Sequence, residues 1–305
     1  MTDEDMPPPD DRLQLIKGFA AAAAVIVVWS GFNIVSRLGG RSPLTPYDMA
    51  ALRFVFSGLV CLPFVLTRWH RLEWRRLAVL AALGGMSYGL FVYAGFSLAP
   101  TAHAGILVNG GIPFASALLA WLVLGHRPGL RSEFALVIAG VGIVLIGVHS
   151  FGQFSGAPAN QWVGDVFFML AALCYASFGL LLKHWHVSPL DATIGVAVIS
   201  MVCYMPVYLA FLPKAISTPP LSFILVQGVY QGILAASIAG LLFAYAIHNI
   251  GTQRATLMLA LVPGVSAVAA VPVLGEALDA ATIAGVVLVT IGAALGATHQ
   301  LARRG

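Results

Sequence analysis

The stretch Trp29-Ser30-Gly31-Phe32, followed by Arg37 and Ser42-Pro43, returns as Tyr175-Ala176-Ser177-Phe178, followed by Lys183 and Ser188-Pro189. The offset is 146 residues throughout, and it also carries Gly18 onto Gly164. Further along, Pro113, Ser116 and Leu124-Gly125 are matched by Pro263, Ser266 and Leu274-Gly275 at an offset of 150. Ala139-Gly140-Val141 with Gly147 has its counterpart in Ala284-Gly285-Val286 with Gly292. Matches at both ends of each half point to a duplicated unit.

Composition says what the unit is made of. Of 305 residues, 59% are hydrophobic and 9% charged, and mean hydropathy is +0.91. A soluble domain carries about 25% charged residues, so this chain has too little charge to cover a water-facing surface. The same numbers exclude a disordered chain. A net charge of +4 with no basic stripe through one domain argues against nucleic-acid binding. Barrel strands would show short polar/apolar alternation; here the apolar runs are long and continuous. The sequence therefore predicts an all-α integral membrane protein with the lipid bilayer as solvent.

Ten runs are long enough to span a bilayer, which takes about 20 residues each. They cover roughly 15–37, 46–66, 76–98, 102–124, 131–149, 162–183, 190–212, 221–248, 252–274 and 279–299. Five fall in each half. Because five is odd, the second half enters the membrane from the opposite side. The expected fold is ten transmembrane helices as two inverted five-helix repeats around a central cavity, an arrangement built for alternating access. The expected organisation is a disordered acidic cytoplasmic tail over 1–14, a first repeat over 15–149, a periplasmic linker over 150–161, a second repeat over 162–299, and a cytoplasmic tail over 300–305. The tail carries Asp3, Glu4, Asp5 and three prolines, unlike the basic start of a signal peptide. With span 1 leaving the cytoplasm, twelve of the 16 Lys and Arg residues fall on the cytoplasmic side. Arg37, Arg41 and Lys214 fall on the other, and Arg53 lies within span 2. That bias places both termini in the cytoplasm.

Thr101-Ala102-His103-Ala104-Gly105-Ile106-Leu107, then Ile112-Pro113, then Leu118 through Gly125 resembles the fourth-helix signature of the EamA family, within the drug/metabolite transporter superfamily. Leu261-Val262-Pro263 through Val273-Leu274-Gly275-Glu276 resembles the same signature in the second half. The Gly-Glu ending is intact there; the first half has Gly125-His126 instead. The resemblance implies a ten-helix transporter of the bacterial inner membrane. Spans 1, 3, 4, 6, 8 and 9 would line its cavity, with spans 5 and 10 outside. The whole chain is similar to bacterial aromatic amino acid exporters, whose range extends to threonine and methionine.

Polar groups in membrane helices are expensive unless they meet partners or water, so faces carrying them should point inward. Helical spacing groups Trp29 with Asn33, Asn109 with Pro113 and Ser116, and Gln231 with Leu234, Leu241, Tyr245 and His248. Adding Tyr93 and Tyr175 gives the candidate substrate-binding set: Trp29, Asn33, Tyr93, Asn109, Tyr175, Gln231 and Tyr245. An aromatic and amide lining without acids suits a neutral or zwitterionic amino acid. Bonding between neighbouring helices is the competing reading for each of these residues. Pro113 and Pro263 are repeat-related breaks, and with Gly251 they are the expected gating points. Arg53 could snorkel, bind carbonyls, or pair with Asp48. Glycine pairs such as Gly228/Gly232 and Gly292/Gly296 fit close helix packing.

Several chemistries find no support. Gly85-Met86-Ser87-Tyr88-Gly89 matches a hydrolase elbow by letter but lies in an apolar run rather than a strand-turn-helix, so no enzyme is expected. His184 and His186 do not share a helix face, and neither H-E-x-x-H nor C-x-x-C occurs, so no metal or cofactor is expected. Cys61, Cys174 and Cys203 lie in apolar runs and read as reduced packing residues. Proton coupling through an intramembrane acid lacks a candidate, which leaves facilitated diffusion or weak coupling through the substrate, with His103 and His248 as possible proton sensors. Since both halves lie in one chain, a monomer is expected to suffice. The alternatives are a drug or metabolite carrier of the same fold, a lipid flippase, or an intramembrane enzyme.

Overall fold

The computed structural model describes residues 9–68, 72–125, 129–151 and 160–299. Most of the expected acidic tail, Arg71, His126, Arg127, Gly152, Gly156 and Pro158 of the linker, and the tail 300–305 lie outside these residues. Among the described residues every regular element is helical. The helices are α1 (Pro9–Gly40), α2 (Pro46–Arg68), α3 (Trp74–Leu98), α4 (Thr101–Ala104, Gly105–Asn109 and Gly111–Leu124), α5 (Leu130–Phe151), α6 (Gln161–His184), α7 (Pro189–Phe211), α8 (Leu221–Gly251), α9 (Arg254–Leu274) and α10 (Ala280–His299). Nine of them are long and apolar enough to cross a membrane, and the tenth holds a shorter apolar stretch, Ala280–Gly296.

α1 begins at Pro9, inside the segment expected to be a disordered tail, because proline is favoured in a helix's first turn, where its missing N–H has no intrahelical partner. The repeat matching also needs one correction. α2 starts at Thr45-Pro46, where Thr45 N–H donates to Asp48 Oδ2 at 2.8 Å and Asp48 N–H to Thr45 Oγ1 at 3.1 Å. α7 starts at Ser188-Pro189, where Asp191 N–H donates to Ser188 Oγ at 3.1 Å. These side-chain caps, reciprocal in α2, satisfy donors that a helix start leaves open. The structural counterpart of Ser188-Pro189 is thus Thr45-Pro46, three residues beyond Ser42-Pro43. Helix ends repeat as well: Gly125 and Gly275 both close their helices at positive φ, 66° and 65°, the left-handed conformation that glycine adopts without strain.

Two ends of the bundle can be distinguished. At one, a Cβ on Gly18 would meet Ile250, Arg68 pairs with Asp191 at 3.1 Å, and Arg76 donates to the Trp185 carbonyl. This is the basic end. At the opposite end Arg37 and Arg41 meet Glu276, and Asp48 meets Tyr208. α5 and α10 pack against each other through small residues, with Gly292 on Ala135 and Ala139 and Gly142 on Gly285, so their backbones approach closely without bulky side chains.

Three stretches leave α-helical geometry for π-helix: Ala81–Ser87 in α3, Gly105–Asn109 in α4 and Val229–Ile238 in α8. A π-turn bonds i to i+5, inserting a residue and re-aiming the faces that follow. All three stretches border the central cavity.

Candidate functional site

The cavity holds about 440 Å³, within the range of small-molecule sites. α1 supplies Trp29, Phe32 and Asn33; α2 supplies Arg53, Phe54 and Ser57; the π-helical stretches supply Gly84, Gly85, Asn109, Ala235 and Ala236. Tyr88 of α3, Tyr175 and Phe178 of α6, Thr193 and Ser200 of α7, and Phe243 of α8 complete most of the wall. Leu182, Pro189 and Ile247 carry the lining toward the basic end. Among the described residues no Asp or Glu lines it.

Toward the opposite end the space is blocked. Phe32 packs on Tyr93 and Phe96, with ring centroids 6.3 and 6.2 Å apart, and Phe96 meets Phe168 edge-on at 5.0 Å. Above this aromatic plug sits Glu276, 7% exposed. Its Oε1 accepts from Arg37 Nε at 2.9 Å and Arg41 Nη2 at 3.0 Å, and its Oε2 from the Thr101 N–H at 2.9 Å. Arg37 also donates to the Phe96 carbonyl at 2.6 Å. One carboxylate therefore ties α1, the end of α9 and the start of α4. Beside it His103 Nδ1 lies 2.8 Å from Asp165 Oδ1, both buried, joining α4 to α6. Asp48 accepts from Thr45, Tyr208 and the Ala215 N–H, joining α2 to the end of α7. The molecule is tied shut at this end, and its cavity runs toward the basic one.

Four of the seven predicted binding residues come together here. Trp29, Asn33, Asn109 and Tyr175 line the cavity. Trp29 packs on Phe243 with centroids 5.8 Å apart. Asn33 Nδ2 donates to Ser266 Oγ at 2.9 Å, and the buried Asn109 Nδ2 has no hydrogen-bond partner. The other three lie elsewhere. Tyr93 is buried behind the wall and donates to Gln231 Oε1 at 3.1 Å. Gln231 donates to Ser36 Oγ at 3.0 Å and Gln227 Oε1 at 3.3 Å. These two spend their polar capacity joining α3, α8 and α1, which is the helix-bonding reading. Tyr245 is 42% exposed on the outside. The π-stretch Val229–Ile238 is the cause: it shifts the cavity-facing side of α8 from the straight-helix row of Gln231 and Tyr245 to Gly240, Phe243, Ala244 and Ile247.

The residues expected to gate occupy breaks. Pro113 stands in the first turn of Gly111–Leu124 and Pro263 in that of Val262–Leu274, where no intrahelical donor is lost. Gly251, between α8 and α9, has φ 82° and ψ 153°. Sequence reasoning missed Phe32, Tyr88, Thr193, Ser200 and Phe243, and left Arg53 among several roles. Ser200 and the glycines carry no signal that separates lining from packing. Two expectations from the family resemblance also change: α2 and α7 line the cavity, whereas among the described residues none of α9 does, its inner face being taken up by α1 and α4. Ser266 meets Asn33, and Pro263 sits against Gly105. Among the described residues no group of three His, Cys, Asp or Glu could hold a metal.

The sequence profile of the EamA-like transporter family matches residues 16–148 and 162–298, one match per half. "Uncharacterized inner membrane transporter YedA" of Escherichia coli (strain K12) is 26% identical over 294 residues, 92% of each chain. An "Uncharacterized transporter" of Archaeoglobus fulgidus is 28% identical over 255 residues, 82% of this chain and 87% of its own. A solved crystal structure, 22% identical, aligns with a TM-score of 0.60 over 96% of this chain and 98% of its own, a likeness of fold.

Proposed function

The chain belongs to the EamA-like transporter family and is an integral inner-membrane transporter; on that premise we propose that it exports aromatic and other neutral amino acids by alternating access. The carrying observation is the cavity: about 440 Å³ walled by aromatic rings, amides, small residues and Arg53, with no acid among the described residues, and closed at one end by a polar latch. An apolar side chain would lie among Trp29, Phe178 and Phe243. Trp29, Asn33, Asn109 and Tyr175 are the proposed substrate contacts.

We read the two halves as inverted repeats. Mirrored contacts support this: a Cβ on Gly18 of α1 would meet Ile250 at the end of α8, and one on Gly164 of α6 would meet Leu98 and Ala99 at the end of α3. With both termini in the cytoplasm, the basic end is cytoplasmic, and the structure is an inward-facing state with the periplasmic latch engaged. The bends at Pro113, Pro263 and Gly251 would let the latch open while the basic end closes. One chain holds the whole pathway, so a monomer suffices.

Uptake of labelled phenylalanine, tryptophan, methionine and threonine into proteoliposomes, with and without a pH gradient, tests the reading. Saturable uptake lost in Trp29→Ala and Asn33→Ala, with insertion unchanged, is the expected result. No uptake of any of the four would refute the amino-acid assignment and turn the search to drugs and other metabolites.

A further inference from the structure

A guanidinium inside a membrane helix is costly unless paired, and the Arg53 guanidinium lines the cavity without a carboxylate beside it. Its Cζ lies 5.5 Å from the Phe32 ring centroid and 5.7 Å from that of Tyr88. The phenols of Tyr93, Tyr88 and Tyr175 are its polar neighbours. The three buried carboxylates are engaged elsewhere. Asp48, five residues away in α2, is taken up by Thr45, Tyr208 and Ala215. Glu276 holds Arg37 and Arg41, and Asp165 faces His103. Backbone packing fixes the position of α2 here, since a Cβ on Gly232 would lie 2.8 Å from the Arg53 carbonyl oxygen.

Among the described residues the cavity therefore carries one positive charge and no negative one. From this uncompensated cation in an aromatic cavity we infer that Arg53 is a carboxylate anchor, and that the site favours apolar monocarboxylate anions over zwitterions of the same shape. The inference rests on the reading of this cavity as the substrate site and departs from the amino-acid assignment in one respect: it keeps the apolar body and the carboxylate and drops the ammonium. A bound carboxylate supplies the counter-charge that the protein omits, in the fork geometry that arginine offers two oxygens. The aromatic body then lies among the rings. The ammonium of an amino acid finds no acid in the cavity, only ring faces and amide oxygens, and adds a second cation to the first. Removing it should strengthen binding.

Four compounds sharing one ring and chain separate the charges: 3-phenylpropanoate, phenylalanine, 3-phenylpropanamide and 2-phenylethylamine. Their binding to the purified full-length protein is measured by titration calorimetry at pH 8, because weak acids also cross bilayers unaided. The expected order is 3-phenylpropanoate at least 10-fold tighter than phenylalanine, with 2-phenylethylamine not binding. Arg53→Gln should weaken 3-phenylpropanoate by 30-fold or more while changing 3-phenylpropanamide by less than threefold. Arg53→Lys, which keeps the charge but loses the fork, should fall between. Phenylalanine binding as tightly as 3-phenylpropanoate would overturn the inference and leave the amino-acid reading standing. So would an Arg53→Gln loss shared equally by the neutral amide. If none of the four binds, the reading of the cavity as a site for aromatic solutes falls together with the anchor. The wild-type comparison needs no variant to fold.

Discussion

Replacing Glu276 with glutamine tests whether the closed end is a gate or a structural tie. The side chain keeps its size, and its remaining oxygen can still accept from Arg37. The Thr101 N–H loses its acceptor and faces an amide donor instead, at a position with no solvent exposure. An orphaned buried donor costs about 1–3 kcal/mol. Loss of charge assistance on the Arg37 bond adds about 1 kcal/mol, the difference between charged and neutral hydrogen bonds. Arg41, its side chain 41% exposed, adds little, because water screens it. The sum is about 2–4 kcal/mol, and at about 1.4 kcal/mol per decade it corresponds to roughly 30- to 900-fold. If the latch exists only when this end is closed, that factor appears in the conformational equilibrium. Ser36, fully buried one residue before Arg37, reports on it. In a background with Cys61, Cys174 and Cys203 replaced by alanine, Ser36→Cys is labelled with a membrane-impermeant thiol reagent. Glu276→Gln should speed labelling by at least 30-fold until the open state dominates. A change below threefold, with a drop in melting temperature, would refute the gate and leave Glu276 as a tie holding the fold.

Gly251→Ala would test the hinge between α8 and α9. No atom lies within 4 Å of the added Cβ, so the expected loss of about 1–3 kcal/mol is backbone strain alone, read as a lower melting temperature in detergent; an unchanged melt would remove the strain. Tyr93→Phe strips Gln231 Oε1 of its donor and should cost about 1–2 kcal/mol of stability, read as a lower melting temperature in detergent; an unchanged melt would show that the bond adds nothing to the fold. Asp165→Asn replaces the carboxylate beside His103 with an amide and should cost about 1–3 kcal/mol, seen as a lower melting temperature on thermal challenge. A melt within 2 °C of the parent would show that the pair is neutral or dispensable.

What the sequence made legible, and what it hid, divides along one physical line. The ten apolar runs coincide with helices because hydrocarbon admits little else. Trp29, Asn33, Asn109 and Tyr175 reach the cavity because polar or aromatic groups in mid-run must find a non-lipid face. Such groups have two ways inward, the cavity or a neighbouring helix, and composition does not choose between them. Tyr93 and Gln231 took the second. The choice on α8 was made by its π-helical stretch, which has no residue signature here: Val229 through Ile238 reads as an ordinary apolar run. A face projected at constant helical spacing through that stretch arrives at Tyr245, while the chain arrives at Phe243 and Ala244. Arg53 was hidden differently. Asp48 is near enough in sequence to serve as its partner, and only the cap with Thr45 and the bonds from Tyr208 and Ala215 reveal that this carboxylate is already committed. The cation's freedom is thus a property of the α2–α7 junction. Thr45→Ala removes one hydroxyl bond from Asp48 and leaves those from the Thr45 N–H, Tyr208 and Ala215, so Asp48 stays committed and anion binding in the cavity should stay within twofold of the parent; a larger loss would show that Asp48 can be drawn to Arg53.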